Sequence, residues 1–103
     1  MSYDFRLGTD RSRFYESNYT FNIYKIWAAA TDGQSMQNLD GLYGWQVATV
    51  IGKVLVKLGT ERAKFVALEP ENKWGTVDSF SSFLANLQRA CLLHPRARLH
   101  VFA

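Results

Sequence analysis

The sequence contains little of what defines the common catalytic and metal-binding classes. Cys91 is the only cysteine, and His94 and His100 are the only histidines. One cysteine cannot form an internal disulfide, so the fold needs no oxidising compartment. These three residues do not complete a zinc site, and neither a glycine-rich phosphate loop nor a Gly-x-Ser-x-Gly pattern occurs. We therefore expect no metal, no cofactor and no enzymatic activity.

Long apolar segments and strong charge are also absent from the sequence. No apolar run approaches the ~20 residues needed to span a bilayer, and the N-terminal Met-Ser-Tyr-Asp-Phe-Arg lacks the pattern of a signal peptide. We expect no membrane contact and a cytoplasmic location. The formal net charge is +3, which permits contact with nucleic acid or an acidic protein surface but requires neither. This charge argues against a protein that imitates DNA with clustered carboxylates.

The clearest element in the sequence is an amphipathic helix from Gly44 to Gly59. Its apolar residues recur at the spacing of one helix face. They are Val47, Ala48, Ile51, Val54, Leu55 and Leu58. Val50 and Val56 widen this face, which predicts a helix that packs on two sides, or on one side and against a partner. Gly59 is the expected C-cap of the helix.

Alternating apolar residues predict a strand at each end of the chain. The alternating positions are Tyr3, Phe5 and Leu7 at the N-terminus and Ala97, Leu99 and Val101 at the C-terminus. A short strand is also expected over residues 14–19. We predict one α+β domain over residues 1–103, in which a small antiparallel sheet joins the terminal strands and three to four helices cover it. On this sheet Asp4 and Arg6 could face Arg98 and His100.

Three further helical segments complete the predicted fold. The first contains Ile23, Ile26, Trp27 and Ala30, and a short second one begins at Thr60 with Ala63, Phe65, Val66 and Leu68 pointing inward. The last helix begins at Thr76 and stops at Pro95. Its apolar stripe includes Cys91, which favours an inert buried thiol over a Cys91–His94 nucleophile pair.

Two short basic clusters are candidate contact sites. Arg11, Arg13 and Tyr15 mix cations and rings in the manner of a nucleic-acid surface. Arg96, Arg98 and His100 are expected on the outer side of the final strand. If the two clusters meet on one face of the sheet, they form an anion-binding patch. The alternative is a set of solvated faces and an edge strand protected by charge.

Trp74 is the third candidate, because it lies in the polar segment Asn72–Gly75. An exposed tryptophan in such a loop can anchor an interface. The alternative is a tryptophan that folds back over a helix end.

The same part of the chain resembles a small family of uncharacterised proteins from bacteriophages, prophages and some bacterial genomes. The family pattern runs roughly Asn-Pro-x-Asn-x-Trp-Gly, a helix, and then Ala-Cys-x-x-His-Pro. The matching residues are Pro70, Asn72, Trp74, Gly75, Ala90, Cys91, His94 and Pro95. The chain departs from the pattern at Glu69, where the family favours asparagine. The resemblance implies a small accessory protein that binds a host macromolecule, and it carries over no activity.

Together these features predict a non-enzymatic macromolecule-binding accessory protein, phage-encoded and directed at a host complex that takes part in defence. Its partner would be a host protein or nucleoprotein complex in the host cytoplasm. The alternative is a small basic nucleic-acid-binding protein that uses the arginine clusters. The candidate partner-binding residues are Arg11, Arg13, Tyr15, Trp74, Arg96 and Arg98. The oligomeric state is left open.

Overall fold

A computed structural model describes residues 2–103. The fold is a three-stranded antiparallel sheet with helices packed on one face. In chain order the elements are β1 (Ser2–Gly8), β2 (Arg13–Thr20), α1 (Tyr24–Ala30), α2 (Gly44–Thr60), α3 (Arg62–Val66), α4 (Val77–Leu93) and β3 (Arg98–Phe102). Short 3-10 turns at Phe21–Ile23 and Met36–Leu39 precede α1 and α2. The predicted α+β architecture is confirmed. No helix within residues 2–103 has the length and apolar character to cross a membrane.

The two terminal strands pair in the sheet, as predicted. The strand order is β2-β1-β3, so β1 is central and pairs with an antiparallel strand on each side. Its residues Tyr3, Phe5 and Leu7 are buried beneath the helices, together with Leu99 and Val101 of β3. Alternation along each strand leaves the other face to residues that are polar, apart from Phe102.

The register between β1 and β3 gives one of the expected pairings and not the others. Arg6 lies opposite His100, whereas Asp4 lies opposite Phe102 and Arg98 lies opposite a glycine. The register of a sheet with one buried face is set by the apolar residues, because a one-residue slip would expose all of them. Burial of the core therefore decides which charged residues meet.

A short segment before α2 closes the outer edge of β3. The Gly41 amide donates to the Leu99 carbonyl at 2.7 Å, and the Leu99 amide donates to the Leu42 carbonyl at 2.9 Å. The Val101 amide donates to a carboxylate oxygen of Asp40 at 2.9 Å. In the described part of the chain, no backbone segment pairs in this way with the outer edge of β2.

Helix α2 packs on one side only. Its buried residues are Gly44, Val47, Ala48, Ile51, Val54 and Leu58. Leu55, expected among them, is half-buried at the rim of the packed face, and Val56 is exposed. Of the two predicted alternatives, packing on two sides within the chain does not extend to Val56, which no element of residues 2–103 covers, and packing against a partner stays a prediction.

The end of α2 also differs from the prediction. The helix continues through Gly59 to Thr60, whose hydroxyl donates to the carbonyl four residues earlier at 2.9 Å rather than capping a new helix. Of the residues expected to point inward after it, Phe65 is fully buried, whereas Ala63 and Val66 are exposed. Because α3 has only five residues, one large side chain is enough to attach it to the core.

Helix α4 forms the main helical contact of both α2 and the sheet. Its predicted stripe is buried, and the Thr76 hydroxyl caps it by accepting from the Ser79 amide at 3.2 Å. Phe83 stacks on Tyr19 of β2, with ring centres 4.6 Å apart. Gln88 donates to the Ala48 carbonyl of α2 at 3.2 Å. α4 thus links the sheet to α2.

Candidate functional site

The face of the sheet that points away from the helices carries the polar side chains of all three strands. We call it the open face. Its exposed residues are Asp4, Arg6, Glu16, Asn18, Arg98, His100 and Phe102. No helix of residues 2–103 covers it, so these side chains are available to a partner.

Both predicted basic clusters contribute to a shallow cleft of about 390 Å³ at one end of the open face. We call this the arginine cleft. Its cationic and aromatic lining consists of Arg6, Arg13, Arg96, Arg98, His100 and Phe102, and the loop after β1 adds the carboxylate of Asp10. The arginines come from the two ends of the chain because β1 pairs with β3.

Glu16 partly neutralises the β2 side of the arginine cleft. Its carboxylate pairs with the guanidinium of Arg13 and lies 3.9 Å from Nε of Arg6. The Arg6 guanidinium also lies over the Phe102 ring, 5.2 Å from its centre. Such exposed pairs contribute little to stability and leave the groups accessible.

The β3 side of the cleft holds arginines without carboxylate partners. Arg98 donates to the Gly41 carbonyl at 3.2 Å and to the Tyr43 hydroxyl at 2.9 Å, and its guanidinium lies 4.5 Å from the centre of the Tyr43 ring. Within residues 2–103, neither Arg96 nor Arg98 forms an ion pair. His100 lies 3.6 Å from the Asp40 carboxylate. The uncompensated positive charge of the cleft is therefore concentrated at Arg96 and Arg98.

Trp74 is held outward by the conformation of its loop. It is 68% exposed, and its amide donates to the side chain of Asn72 at 3.0 Å. The preceding Lys73 has φ of 61° and the following Gly75 has φ of 97°. A Cβ at Gly75 would lie 2.6 Å from Cγ2 of Ile23, so the loop approaches the core as closely as glycine allows. Trp74 does not fold back over a helix end.

A second shallow cleft lies beside Trp74, at the end of the sheet where Ser2 pairs with Thr20. We call it the Trp74 cleft. A depression in the middle of the open face shares Arg6 with the arginine cleft and Asn18 with the Trp74 cleft. The two clefts are therefore connected along β1.

Arg11 and Tyr15, the other two candidates, lie outside both clefts. Arg11 is exposed in the loop between β1 and β2. Tyr15 lies opposite Leu7 and is half-buried against α4, on the covered side of the sheet. An irregularity in the β1–β2 register separates Tyr15 from Arg13, so two residues that alternation would place on one face point to different faces.

Cys91 and His94 do not form a nucleophile pair. Cys91 is inaccessible to solvent, and burial raises the pKa of its thiol to about 11. The His94 ring stacks on Phe14 with ring centres 4.0 Å apart. In the part of the chain that the structure describes, no three His, Cys, Asp or Glu residues are arranged to hold a metal ion.

Arg6, Tyr43 and Phe102 belong to the site but were not among the predicted candidates. Arg6 and Phe102 could have been found from strand alternation, since both occupy exposed positions. Tyr43 could not, because it reaches Arg98 only through the docking of residues 40–43 on β3. Comparisons of the chain with protein-family models, curated proteins and solved structures gave no match. Function is therefore inferred from the geometry of the open face.

Proposed function

We propose that the protein is a non-enzymatic binding domain that engages a macromolecular partner through the open face of its sheet. The observation that carries this proposal is the arginine cleft, where cations from both ends of the chain meet. Arg96 and Arg98 leave positive charge there without a carboxylate partner in residues 2–103. Uncompensated guanidinium groups on an accessible face attract anionic partners and orient them on approach.

The shape of the face favours a large partner over a small molecule. Small-molecule sites are usually enclosed and largely apolar. Here two shallow clefts are joined along β1, whose seven residues extend over roughly 20 Å at the usual rise of a strand. A partner that covers this length must itself be extended or have a broad surface.

We further propose that this partner is a host protein or nucleoprotein complex and that the protein is a phage-type accessory factor. On this proposal it inhibits or modifies a host defence complex in the host cytoplasm. The resemblance of Asn72, Trp74 and Gly75 and of the Ala90–Pro95 segment to a phage and prophage family supports the origin. The positive charge of the arginine cleft supports an acidic or phosphate-bearing surface on the partner.

The test is affinity capture from a bacterial host lysate with three forms of the protein. They are the wild type, the double variant Arg96→Ala/Arg98→Ala and the control Arg89→Ala, which removes an exposed arginine from α4. We expect the double variant to capture at least about tenfold less partner than the wild type, whereas the control should capture as much as the wild type. Thermal melting of each form shows whether the fold is intact. Equal capture by all three forms would refute the proposed face.

A further inference from the structure

The two clefts of the open face differ in chemistry, and they match the two kinds of group, phosphates and bases, that a nucleic acid presents along its length. At the arginine cleft the donors are guanidinium groups, whose planar fork matches the oxygens of phosphate. A guanidinium has five N–H donors. Arg98 uses only two hydrogen bonds within the chain, to Gly41 and Tyr43, so donors remain for a ligand. Arg96 is fully available among the described residues.

The Trp74 cleft offers a ring and uncharged polar groups. Its lining consists of Ser2, Asn18, Thr20, Asn22, Asn72 and Trp74. The Asn72 hydrogen bond and the tight approach of Gly75 to Ile23 hold the Trp74 loop before any ligand arrives. Little ordering is therefore required when a planar group stacks on the indole. Nucleobases stack on such rings regardless of sequence.

The distribution of polar and apolar groups disfavours a folded protein on the same path. The centres of protein interfaces are apolar and depleted of charged residues. On the open face the exposed rings of Phe102 and Trp74 are separated by polar and charged residues. These residues are Asp4, Arg6, Glu16 and Asn18. A polymer that alternates charged and planar groups fits this pattern better than a continuous apolar surface does.

We propose that the open face binds a single-stranded nucleic acid along β1, with its phosphates in the arginine cleft and a base stacked on Trp74. The proposal rests on the proposed function and takes its nucleoprotein alternative, since it names the nucleic acid of such a complex as the partner of the same face. A duplex does not fit, because its bases are stacked on each other and present no free face to Trp74. The roughly 20 Å of the strand accommodates only a few nucleotides.

Fluorescence anisotropy with labelled 12-nucleotide oligothymidine and oligouridine tests the arginine end and compares DNA with RNA. We expect affinity to fall as salt rises, because phosphate contacts release counterions. Arg96→Ala should weaken binding and reduce the slope of log affinity against log salt by about 0.7 for one lost phosphate contact. Arg89→Ala, on the helical side of the molecule, should change neither quantity.

Trp74→Ala tests the stacking end, with Trp45→Ala as a matched control. Trp45 is also an exposed tryptophan, at 55% exposure, but it lies on α2. We expect Trp74→Ala to weaken oligonucleotide binding roughly 5- to 150-fold and Trp74→Phe to restore part of the loss. In a Trp45→Phe background, Trp74 is the exposed indole and Trp27 is buried, so oligonucleotide binding should quench the emission of Trp74.

Binding of polyglutamate, a polyanion without bases, tests whether the open face attracts any polyanion or requires both phosphates and bases. If polyglutamate binds as tightly as the oligonucleotides, or if Trp74→Ala binds them as well as the wild type does, the proposal is overturned. Absence of oligonucleotide binding at low salt also overturns it. In that case the proposed function still holds if Arg96→Ala/Arg98→Ala loses a nuclease-resistant partner in the capture experiment. If the double variant also captures normally, both proposals fall.

Discussion

Gly44 allows the first turn of α2 to lie directly against the end of α4, and replacing it with alanine should disrupt this contact. A Cβ at Gly44 would lie 2.5 Å from the His94 carbonyl oxygen, 2.8 Å from that of Cys91 and 3.2 Å from Cα of Pro95. All three are backbone atoms, so no side chain can rotate away. The Gly44 amide also donates to the Ala97 carbonyl at 2.7 Å, which fixes the helix end in place.

The magnitude follows from two opposing effects of Gly44→Ala. Forcing an extra carbon into a packed site usually costs about 1–3 kcal/mol. Alanine in a helix recovers up to about 1 kcal/mol relative to glycine, partly by restricting the unfolded chain. Because two of the contacts are with backbone oxygens at less than 3.0 Å, the steric cost should exceed the gain. We expect a net loss of about 1–2 kcal/mol, which lowers the melting temperature by roughly 4–16 °C.

Urea and thermal denaturation, followed by circular dichroism, measure this difference. Gly59→Ala is the matched control in the same helix, since a Cβ there meets no atom within 4 Å. That variant should gain about 0.5–1 kcal/mol, because only the favourable effect of alanine remains. The reasoning is refuted if Gly44→Ala is as stable as the wild type, or if the two variants shift stability by the same amount.

Two further predictions concern the core. Leu84→Ala should lower the free energy of unfolding by about 2–5 kcal/mol. Leu55→Ala changes a half-buried position, so it should lower the free energy of unfolding clearly less in the same denaturation assay. Equal decreases for the two variants would contradict the burial described. Cys91 should react slowly with a thiol reagent near pH 8 in the native protein and rapidly after denaturation, because its pKa is raised to about 11 by burial. Since unfolding lowers that pKa, the neutral buried thiol stabilises the fold below pH about 9, and this contribution should be lost as the pH rises towards about 11.

The parts of the fold that the sequence predicted correctly are those specified by local chemistry. Alternation of Phe5 and Leu7 with polar residues defines β1, and the Thr76 cap defines the start of α4. The parts that differ from the prediction, or that the structure leaves open, depend on neighbours that a pattern does not identify. Val56 continues an apolar face, but no element packs on it, and Gly59 remains helical because nothing forces α2 to end there.

The same distinction applies to the site. The sequence predicted that Arg13 would lie near Arg96 and Arg98 if both clusters fall on one face of the sheet. They do so because the terminal strands pair and place these side chains on the face away from the helices. Tyr15 was placed incorrectly beside Arg13 because the register irregularity after Leu7 cannot be read from side-chain types. The exposure of Trp74 depends on its loop docking through Gly75, which is a tertiary contact.

The pairing of β1 with β3 determines when the arginine cleft can form during synthesis of the chain. A ribosome adds about 5–20 residues per second, so His100 follows its partner Arg6 by roughly 5 to 20 s. During that time β1 can pair with β2, but its other edge has no partner and Phe5 and Leu7 are incompletely covered. The arginine cleft is incomplete without β3, because residues 96–102 form one of its walls. A nascent chain, or one truncated before β3, therefore lacks the complete cleft, and on the proposed function it could bind a partner there only once β3 has been made and inserted into the sheet.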